Sequence, residues 1–277
     1  MEHIDGRFKG AGNAGLYYQA WIPEGTIKAI LLLVHGLGEY GGRFMNHVNY
    51  FVPLGYAIYG LDHLGHGKSD GQREVVDRFT DFTEPLTVYC QMIMKRHPDT
   101  PVFIFGHSMG GLITCSYLID HQADFKGAIL SAPAIKVSDS ISPVAIAMGK
   151  ILSWIMPKAG VVSLDAAAIS RDPDVVDAYI NDPLVFHGRT PARLAAEILK
   201  TMMRVRSEME KITLPLIIFQ GSEDKLVDPQ GARLLYSKAG SGDKTLKVYD
   251  GLYHEIHNEP ERSIMFKDME GWLSARV

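Results

Sequence analysis

Ser108 lies in a pentapeptide with the pattern G-x-S-x-G, at residues 106–110. The apolar run Val102–Phe105 before it is typical of a buried strand, and the segment Gly110–Ile119 after it is typical of a helix. A serine in a sharp turn between a strand and a helix presents its Oγ at the edge of a sheet. Glycines on both sides let the strand and helix pack closely around the turn. The pattern therefore predicts that Ser108 is a nucleophile.

A serine hydroxyl needs a base to accept its proton, and His254 is the best placed of the eleven histidines. It lies between the apolar run Leu246–Tyr249 and a segment that begins at Pro260, a favoured first residue of a helix. Chains with this nucleophile motif order their triad as serine, acid and histidine. His254 is thus the predicted general base.

Three carboxylates follow the strand-like run Leu214–Phe219 and could orient the histidine. Asp224 is preferred because it comes only a few residues after the predicted strand end. Asp228 directly precedes Pro229 and is better explained as a helix cap, and Glu223 is the weaker alternative. The acid would hold one imidazole tautomer and stabilise the charged ring.

Attack on an ester carbonyl also needs two backbone N–H donors for the oxygen that becomes negative. We expect one from Met109, the residue after the nucleophile. The other is expected from Leu37, in the glycine-rich loop His35–Gly38 that follows an early strand.

The same loop also fits a different chemistry. Residues 36–41 (GLGEYG) match the G-x-G-x-x-G pattern of nicotinamide dinucleotide sites. They follow the strand-like run Ala29–Val34, and Asp62 ends the next run about 20 residues further on. An NAD(P)-binding oxidoreductase is therefore the alternative from a different class, although it leaves the serine motif unexplained.

No metal site is expected. His63 and His66 lack further ligands at zinc-type spacing, and the segment His254–His257 does not match H-E-x-x-H.

Apolar runs that suit strands buried on both faces alternate with helix-length segments. The strand-like runs are Leu16–Ile22, Ala29–Val34, Tyr56–Leu61, Val102–Phe105, Ala128–Leu130, Leu214–Phe219 and Leu246–Tyr249. The helix-like segments are Gly42–Pro53, Asp81–Arg96, Gly110–Ile119, Pro229–Ala239 and Pro260–Leu273. This alternation predicts an α/β fold with a mostly parallel sheet between helices, and ligands beyond the carboxyl ends of its strands.

The alternation stops between residues 134 and 204, where the sequence is helix-like, rich in proline and without a convincing strand. We interpret residues 134–204 as a helical cap inserted into a core made of residues 1–133 and 205–277.

The composition limits the possible partners. The chain has 277 residues, of which 46% are hydrophobic and 22% charged, as in an ordinary globular protein. With 28 basic and 32 acidic residues the net charge is −4, so no basic surplus exists for a nucleic acid. No apolar run approaches a membrane span, and the N-terminus lacks the apolar region of a signal peptide. We expect a cytoplasmic protein, and nothing in the sequence indicates its oligomeric state.

Six segments spread over nearly the whole chain carry a family resemblance. They are His35–Arg43 (HGLGEYGGR), Leu61–Gly71 (LDHLGHGKSDG), Phe105–Gly111 (FGHSMGG), Tyr179–Leu184 (YINDPL), Gly221–Asp228 (GSEDKLVD) and Tyr253–Pro260 (YHEIHNEP). Together they resemble the α/β-hydrolase superfamily and, within it, the monoacylglycerol lipase family.

The resemblance implies hydrolysis of monoacylglycerols to a free fatty acid and glycerol, without a cofactor, under a cap that forms an apolar acyl tunnel. It also implies that Glu39, Arg43, His257 and Tyr179 bind the glycerol head group. Since Glu39 and Arg43 are four residues apart, an ion pair on an exposed turn is the alternative explanation. A lysophospholipase or a broad carboxylesterase with the same triad is the alternative function.

The cap segment Pro143–Pro157 carries a single charge, Lys150. A helix packed on the core would explain this composition. An exposed apolar lip that makes peripheral contact with membranes or micelles is preferred, because monoacylglycerol is itself a membrane lipid. Met148, Leu152 and Trp154 are the predicted contacts.

Overall fold

The computed structural model describes residues 1–136 and 143–277. Most of its strands belong to one large sheet. The strands of the described residues are β1 (Glu2–Lys9), β2 (Gly15–Ile22), β3 (Ala29–Val34), β4 (Tyr56–Leu61), β5 (Val102–His107), β6 (Gly127–Ser131), β7 (Gly160–Val162), β8 (Thr190–Pro191), β9 (Leu216–Gly221) and β10 (Lys244–Tyr249).

The large sheet has eight strands in the order β1-β2-β4-β3-β5-β6-β9-β10. Strand β2 runs antiparallel to both of its neighbours, β1 and β4. From β4 to β10 every neighbouring pair is parallel. The predicted α/β fold with a mostly parallel sheet is therefore confirmed.

Helices cover both faces of this sheet. The α-helices of the described residues are α1 (Met45–Phe51), α2 (Thr80–Arg96), α3 (Met109–His121), α4 (Pro143–Ile155), α5 (Pro173–Asn181), α6 (Ala192–Glu208), α7 (Gln230–Lys238) and α8 (Arg262–Ser274).

Alternate residues of β3 point into two separate cores. Ile30, Leu32 and Val34 pack in the core that α2, α3, α6 and α7 cover. Leu31 and Leu33 pack in the core that α1 and α8 cover. Because both faces are apolar, the strand is a continuous hydrophobic run in the sequence.

The predicted strands are all present, with small shifts at their ends. Strand β9 begins at Leu216, two residues later than predicted. Strand β1 was not predicted from the sequence, because it is an edge strand whose side chains are mostly exposed and therefore lack an apolar pattern.

The described residues between β6 and β9 add no strand to the large sheet. They include α4, α5 and α6, together with the small antiparallel pair of β7 and β8. The expectation that this segment lacks strands was wrong for that short pair. Helix α6 also continues to Glu208, past the predicted cap boundary at residue 204.

Candidate active site

Ser108 occupies the turn between β5 and α3 in a backbone conformation that few residues adopt. Its φ is 54° and its ψ is −120°, so the turn is strained for a residue with a side chain. A Cβ on Gly110 would lie 2.1 Å from the Val34 carbonyl oxygen, and a Cβ on Gly106 would lie 2.6 Å from the Gly110 carbonyl oxygen. Only glycine fits at both flanking positions, as the sequence pattern predicts.

The structure brings His254 and Asp224 together from two loops that follow β9 and β10. The Nδ1–H of His254 donates to Asp224 Oδ2 at 2.8 Å, so Nε2 keeps its lone pair and can accept a proton. Asp224 Oδ1 accepts from the backbone N–H groups of Leu226 and Val227 at 2.9 and 3.0 Å. These two donors fix the orientation of the carboxylate.

Both members of this pair are buried, and their pKa values shift in opposite directions. Burial alone would lower the pKa of His254, but the Asp224 carboxylate outweighs it and raises the pKa above its ordinary value. Burial alone would raise the pKa of Asp224, but His254 and the two backbone donors lower it. Asp224 is therefore ionised at neutral pH and stabilises a protonated imidazole.

The two other carboxylates of this loop lie elsewhere. Asp228 pairs with Lys136, with Nζ and Oδ2 2.6 Å apart, and accepts the N–H of Gln230 at 2.9 Å at the start of α7. The Glu223 side chain is exposed. Among the three candidates, Asp224 is the one at hydrogen-bond distance from His254.

Leu37 and Met109 lie with Ser108 on the wall of one cavity. Met109 is the first residue of α3, and the N–H groups of a helix's first turn have no partner within the helix. The N-terminal end of a helix also attracts negative charge. Both placements are compatible with the predicted oxyanion role.

The glycine loop does not offer a dinucleotide site. Glu39 Oε1 accepts the N–H of Gly36 at 2.7 Å, so a carboxylate stands where a phosphate would need that donor. The Asp62 carboxylate accepts the N–H groups of Gly41 and Lys68 at 2.9 and 2.8 Å. It thus braces the loop and is not directed at a ribose.

Arg43 is the centre of a buried polar cluster on the cavity wall. It donates two hydrogen bonds to Glu255, from its two terminal nitrogens, at 2.5 and 2.8 Å. A third bond reaches Glu39 Oε2 at 3.1 Å. The ring of Tyr179 covers the guanidinium, whose carbon lies 4.7 Å from the ring centroid. The alternative of an exposed Glu39–Arg43 pair is wrong, because the side chains are only 4% and 9% exposed.

The two carboxylates of this cluster differ in their affinity for protons. Burial raises the pKa of Glu39 to about 7, and the positive charge of Arg43 offsets the effect of burial only in part. Burial would also raise the pKa of Glu255, but its paired bonds to Arg43 lower it. Glu255 is the carboxylate that neutralises Arg43, and Glu39 is the one that takes up a proton more readily.

His257 lies behind the site. Its ring stacks on Phe44 at 5.0 Å between centroids and also meets His47 and His107. Within the described residues neither ring nitrogen has a hydrogen-bond partner, and His257 is not among those that line the cavity. Burial lowers its pKa well below the ordinary value, so the ring is neutral.

Glu255 was not predicted as a site residue from the sequence. It lies beside Arg43, where the resemblance implies that His257 would lie. The available signal was an acidic residue directly after the predicted catalytic histidine. That signal was ambiguous, because the same loop contains a second acidic residue, Glu259. In the structure Glu259 pairs with Arg171 and not with Arg43.

The cavity has a volume of about 420 Å³ and combines the polar cluster with a long apolar wall. The apolar lining comes mostly from the segment between β6 and β9. Its larger members from that segment are Val161, Val162, Leu164, Ile169, Ile198, Leu199 and Met202, and Leu37, Met109, Leu226 and Val227 line the cavity from other parts of the chain. Such a lining suits an unbranched hydrocarbon chain next to the reacting groups.

The histidine-rich loop that follows β4 is hydrogen-bonded to the glycine loop and supports it. His35 Nε2 accepts the N–H of His63 at 2.9 Å, and His66 Nδ1 bonds the carbonyl of Leu64 at 2.9 Å. Burial lowers the pKa of His63 to about 3 and that of His66 to about 4. In the two described ranges, no group of three His, Cys, Asp or Glu side chains is arranged to hold a metal ion.

Comparison with known proteins gives consistent matches. The family profile Hydrolase_4 (serine aminopeptidase, S33) matches residues 25–261. The chain is 36% identical to a monoacylglycerol lipase of Mycolicibacterium smegmatis over 270 residues, which are 98% of this chain and 96% of the relative. It is 36% identical to a monoglyceride lipase of Rattus norvegicus over 265 residues, which are 95% and 88% of the two chains. The crystal structure of Paleococcus ferrophilus monoacylglycerol lipase covers 100% of both chains with a TM-score of 0.84 and 29% identity.

The profile spans most of the chain, and the relatives align with nearly the whole chain. The crystal structure has the same fold. The chain therefore belongs to the Hydrolase_4 (serine aminopeptidase, S33) family of α/β hydrolases, and its relatives include monoacylglycerol lipases.

Proposed function

We propose that this protein hydrolyses monoacylglycerols to a free fatty acid and glycerol, with Ser108, His254 and Asp224 as its catalytic triad. The observation that carries the proposal is one cavity whose lining combines Ser108 and His254 with a buried polar cluster and an apolar wall. The polar part suits a glycerol head and the apolar wall suits an acyl chain. The relatives named monoacylglycerol lipase support the same substrate class.

The first half of the reaction forms an acyl-enzyme. Ser108 Oγ attacks the ester carbonyl carbon while His254 Nε2 accepts the hydroxyl proton. The N–H groups of Leu37 and Met109 hold the oxygen that becomes negative. The intermediate collapses as the bond to the glycerol oxygen breaks, and His254 gives its proton to that oxygen.

The second half repeats these steps with water. His254 takes a proton from water, whose oxygen attacks the acyl carbon. The bond to Ser108 Oγ then breaks, the serine regains its proton from His254, and the fatty acid is released. Asp224 stays ionised throughout and stabilises the imidazolium.

We propose that the glycerol head binds to Glu39, Arg43, Tyr179 and Glu255. The first three keep the role that the resemblance implies. Glu255 takes the place of His257, because it is Glu255 that reaches the cavity and Arg43.

The proposed cap, residues 134–204, supplies most of the apolar wall. We propose that its outer surface rests on lipid. Met148, Ile151, Trp154 and Ile155 of α4 are exposed, Trp154 to 83%, and Leu152 is half-buried. Val162 and Leu164 are also exposed and line the cavity, so the apolar surface continues into the site. No helix of the described residues is long and apolar enough to cross a membrane.

Charged substitutions test this contact. We expect the double variant Ile151→Glu, Ile155→Glu to lose binding to phosphatidylcholine vesicles and turnover of vesicle-embedded monoacylglycerol. Hydrolysis of a water-soluble short-chain ester should persist. Ile264→Glu is the matched control, because Ile264 is 54% exposed on α8. Unchanged vesicle binding of the double variant would refute the contact.

A substrate panel tests the function. We expect the wild-type protein to prefer monoacylglycerol over lysophosphatidylcholine with the same acyl chain, and Ser108→Ala to lose nearly all activity while folding normally. Retained activity of Ser108→Ala would refute the assignment of the nucleophile. Faster hydrolysis of lysophosphatidylcholine would make the protein a lysophospholipase, and equal rates on every ester would make it a broad carboxylesterase.

A further inference from the structure

The polar cluster of the cavity carries no net positive charge. Arg43 is the guanidinium shared by Glu39 and Glu255, and all three line the cavity. Glu255 neutralises Arg43, so the net charge of the three groups is −1 when Glu39 is ionised and zero when Glu39 is protonated. Because the side chains are at most 9% exposed, water screens this charge weakly.

The cluster also offers more hydrogen-bond acceptors than donors. An ionised carboxylate has about four acceptor positions and no donor. Glu39 accepts two hydrogen bonds, from Gly36 and Arg43. Glu255 accepts three, two from Arg43 and one from Asn258 at 2.7 Å. The two carboxylates therefore retain acceptor positions, whereas Arg43 has committed most of its terminal N–H groups to them.

An acceptor-rich site without net positive charge favours a hydroxyl group, which brings its own donor. A phosphate dianion brings acceptors and negative charge, for which the cluster has no uncompensated cation, and an ionised Glu39 would repel it. Arg43 alone would attract a phosphate. The carboxylate of Glu255, which accepts two hydrogen bonds from Arg43, is what neutralises that charge.

We infer that Glu255 is a specificity-determining residue, which makes the site accept uncharged, hydroxyl-bearing head groups and reject anionic ones. This inference rests on the proposed function and adds a head-group preference to it. Glu255 acts by occupying the guanidinium of Arg43 and by neutralising its charge.

Three esters with the same acyl chain test the inference. Monoacylglycerol carries the uncharged head, lysophosphatidic acid carries the anionic one, and a 4-nitrophenyl ester carries no polyol. We expect Glu255→Gln to lower the ratio of kcat/KM for monoacylglycerol over lysophosphatidic acid at least about tenfold. The change should fall mainly in KM, and kcat for the nitrophenyl ester should change much less.

Glu259→Gln is the matched control, since Glu259 is a buried carboxylate of the same loop that pairs with Arg171. We expect it to leave the head-group ratio unchanged, even where stability falls. An unchanged ratio in Glu255→Gln would overturn the inference. An equal loss on all three esters would also overturn it, because Glu255 would then act on His254 and not on selectivity.

The wild-type protein gives a second measurement that needs no folded variant. Glycerol should inhibit hydrolysis of the nitrophenyl ester competitively, and glycerol 3-phosphate should inhibit at least about tenfold more weakly. Equal or stronger inhibition by glycerol 3-phosphate would overturn the inference. If the wild-type protein cleaved the nitrophenyl ester but not monoacylglycerol, the proposed function itself would fail.

Discussion

Replacing Asp224 with asparagine changes the two hydrogen bonds that Oδ2 accepts, at nearly constant side-chain volume. Asp224 Oδ1 accepts two backbone N–H groups, from Leu226 and Val227, at 2.9 and 3.0 Å. Because these donors cannot move away, the amide oxygen of asparagine must stay at that position. Its NH2 group then takes the place of Oδ2. In the wild-type protein Oδ2 accepts hydrogen bonds from His254 Nδ1 at 2.8 Å and from Gln220 Nε2 at 3.0 Å.

This placement reverses the hydrogen bond to the histidine. The ring must offer the lone pair of Nδ1 to the amide, so the proton moves to Nε2. A histidine protonated at Nε2 cannot accept the proton of Ser108. The charge that raises the pKa of His254 is lost as well. We therefore expect kcat to fall by about 10⁴-fold, the loss typical of a triad in the wrong tautomer. That factor corresponds to about 5.4 kcal/mol in the activation barrier.

The assay is fatty acid release from monoacylglycerol by the purified wild type, Asp224→Asn and Asp228→Asn, with thermal unfolding as the check on folding. Asp228→Asn is the matched control, because Asp228 also follows β9 but pairs with Lys136. We expect the control to change kcat less than about tenfold. The reasoning fails if Asp224→Asn stays within tenfold of the wild type, or if the control loses as much activity as Asp224→Asn.

Two further predictions concern the histidines. Asp224 raises the pKa of His254, and the histidine must be neutral to act as a base. We therefore expect kcat/KM to fall with decreasing pH through a midpoint above 6.5. A pH profile measured with an uncharged ester would contradict this if its midpoint lay below 6.5. The pKa of His257 is lowered by burial, so the unfolded chain binds a proton below pH 6.5 that the folded chain does not. His257→Leu should therefore weaken the loss of stability on acidification by up to about 1.4 kcal/mol per pH unit, with KM for monoacylglycerol unchanged. Denaturant unfolding at pH 7 and 5 and steady-state kinetics measure the two effects, and a large rise in KM would assign His257 to the head-group site after all.

The catalytic candidates could be predicted because each is tied to the end of a strand. Ser108, Asp224 and His254 follow β5, β9 and β10, and the carboxyl ends of parallel strands meet at one edge of a sheet. The sheet itself could be predicted because residues buried on both faces make continuous apolar runs. Local pattern and chain order were enough for these parts.

The polar cluster around Arg43 could not be predicted in full, because the direction of a side chain within a short loop leaves no trace in the sequence. Residues Ile256–Asn258 form a 3-10 helix, which turns His257 into the core against Phe44. Glu255, two residues earlier, points to Arg43 instead. Spacing alone could not separate these two outcomes.

The pair of Glu39 and Arg43 shows why burial decides how such a spacing is interpreted. On an exposed helix or turn, two charges four residues apart contribute a few tenths of a kcal/mol and need no further partner. In the core, desolvation costs far more than one hydrogen bond returns, so a buried arginine requires additional partners. Glu255, which lies 212 residues further along the chain, is such a partner, and the ring of Tyr179 covers one face of the guanidinium. Since buried ion clusters are seldom the most stable way to fill a core, and this one borders the cavity that holds Ser108, its explanation lies in what the cavity binds.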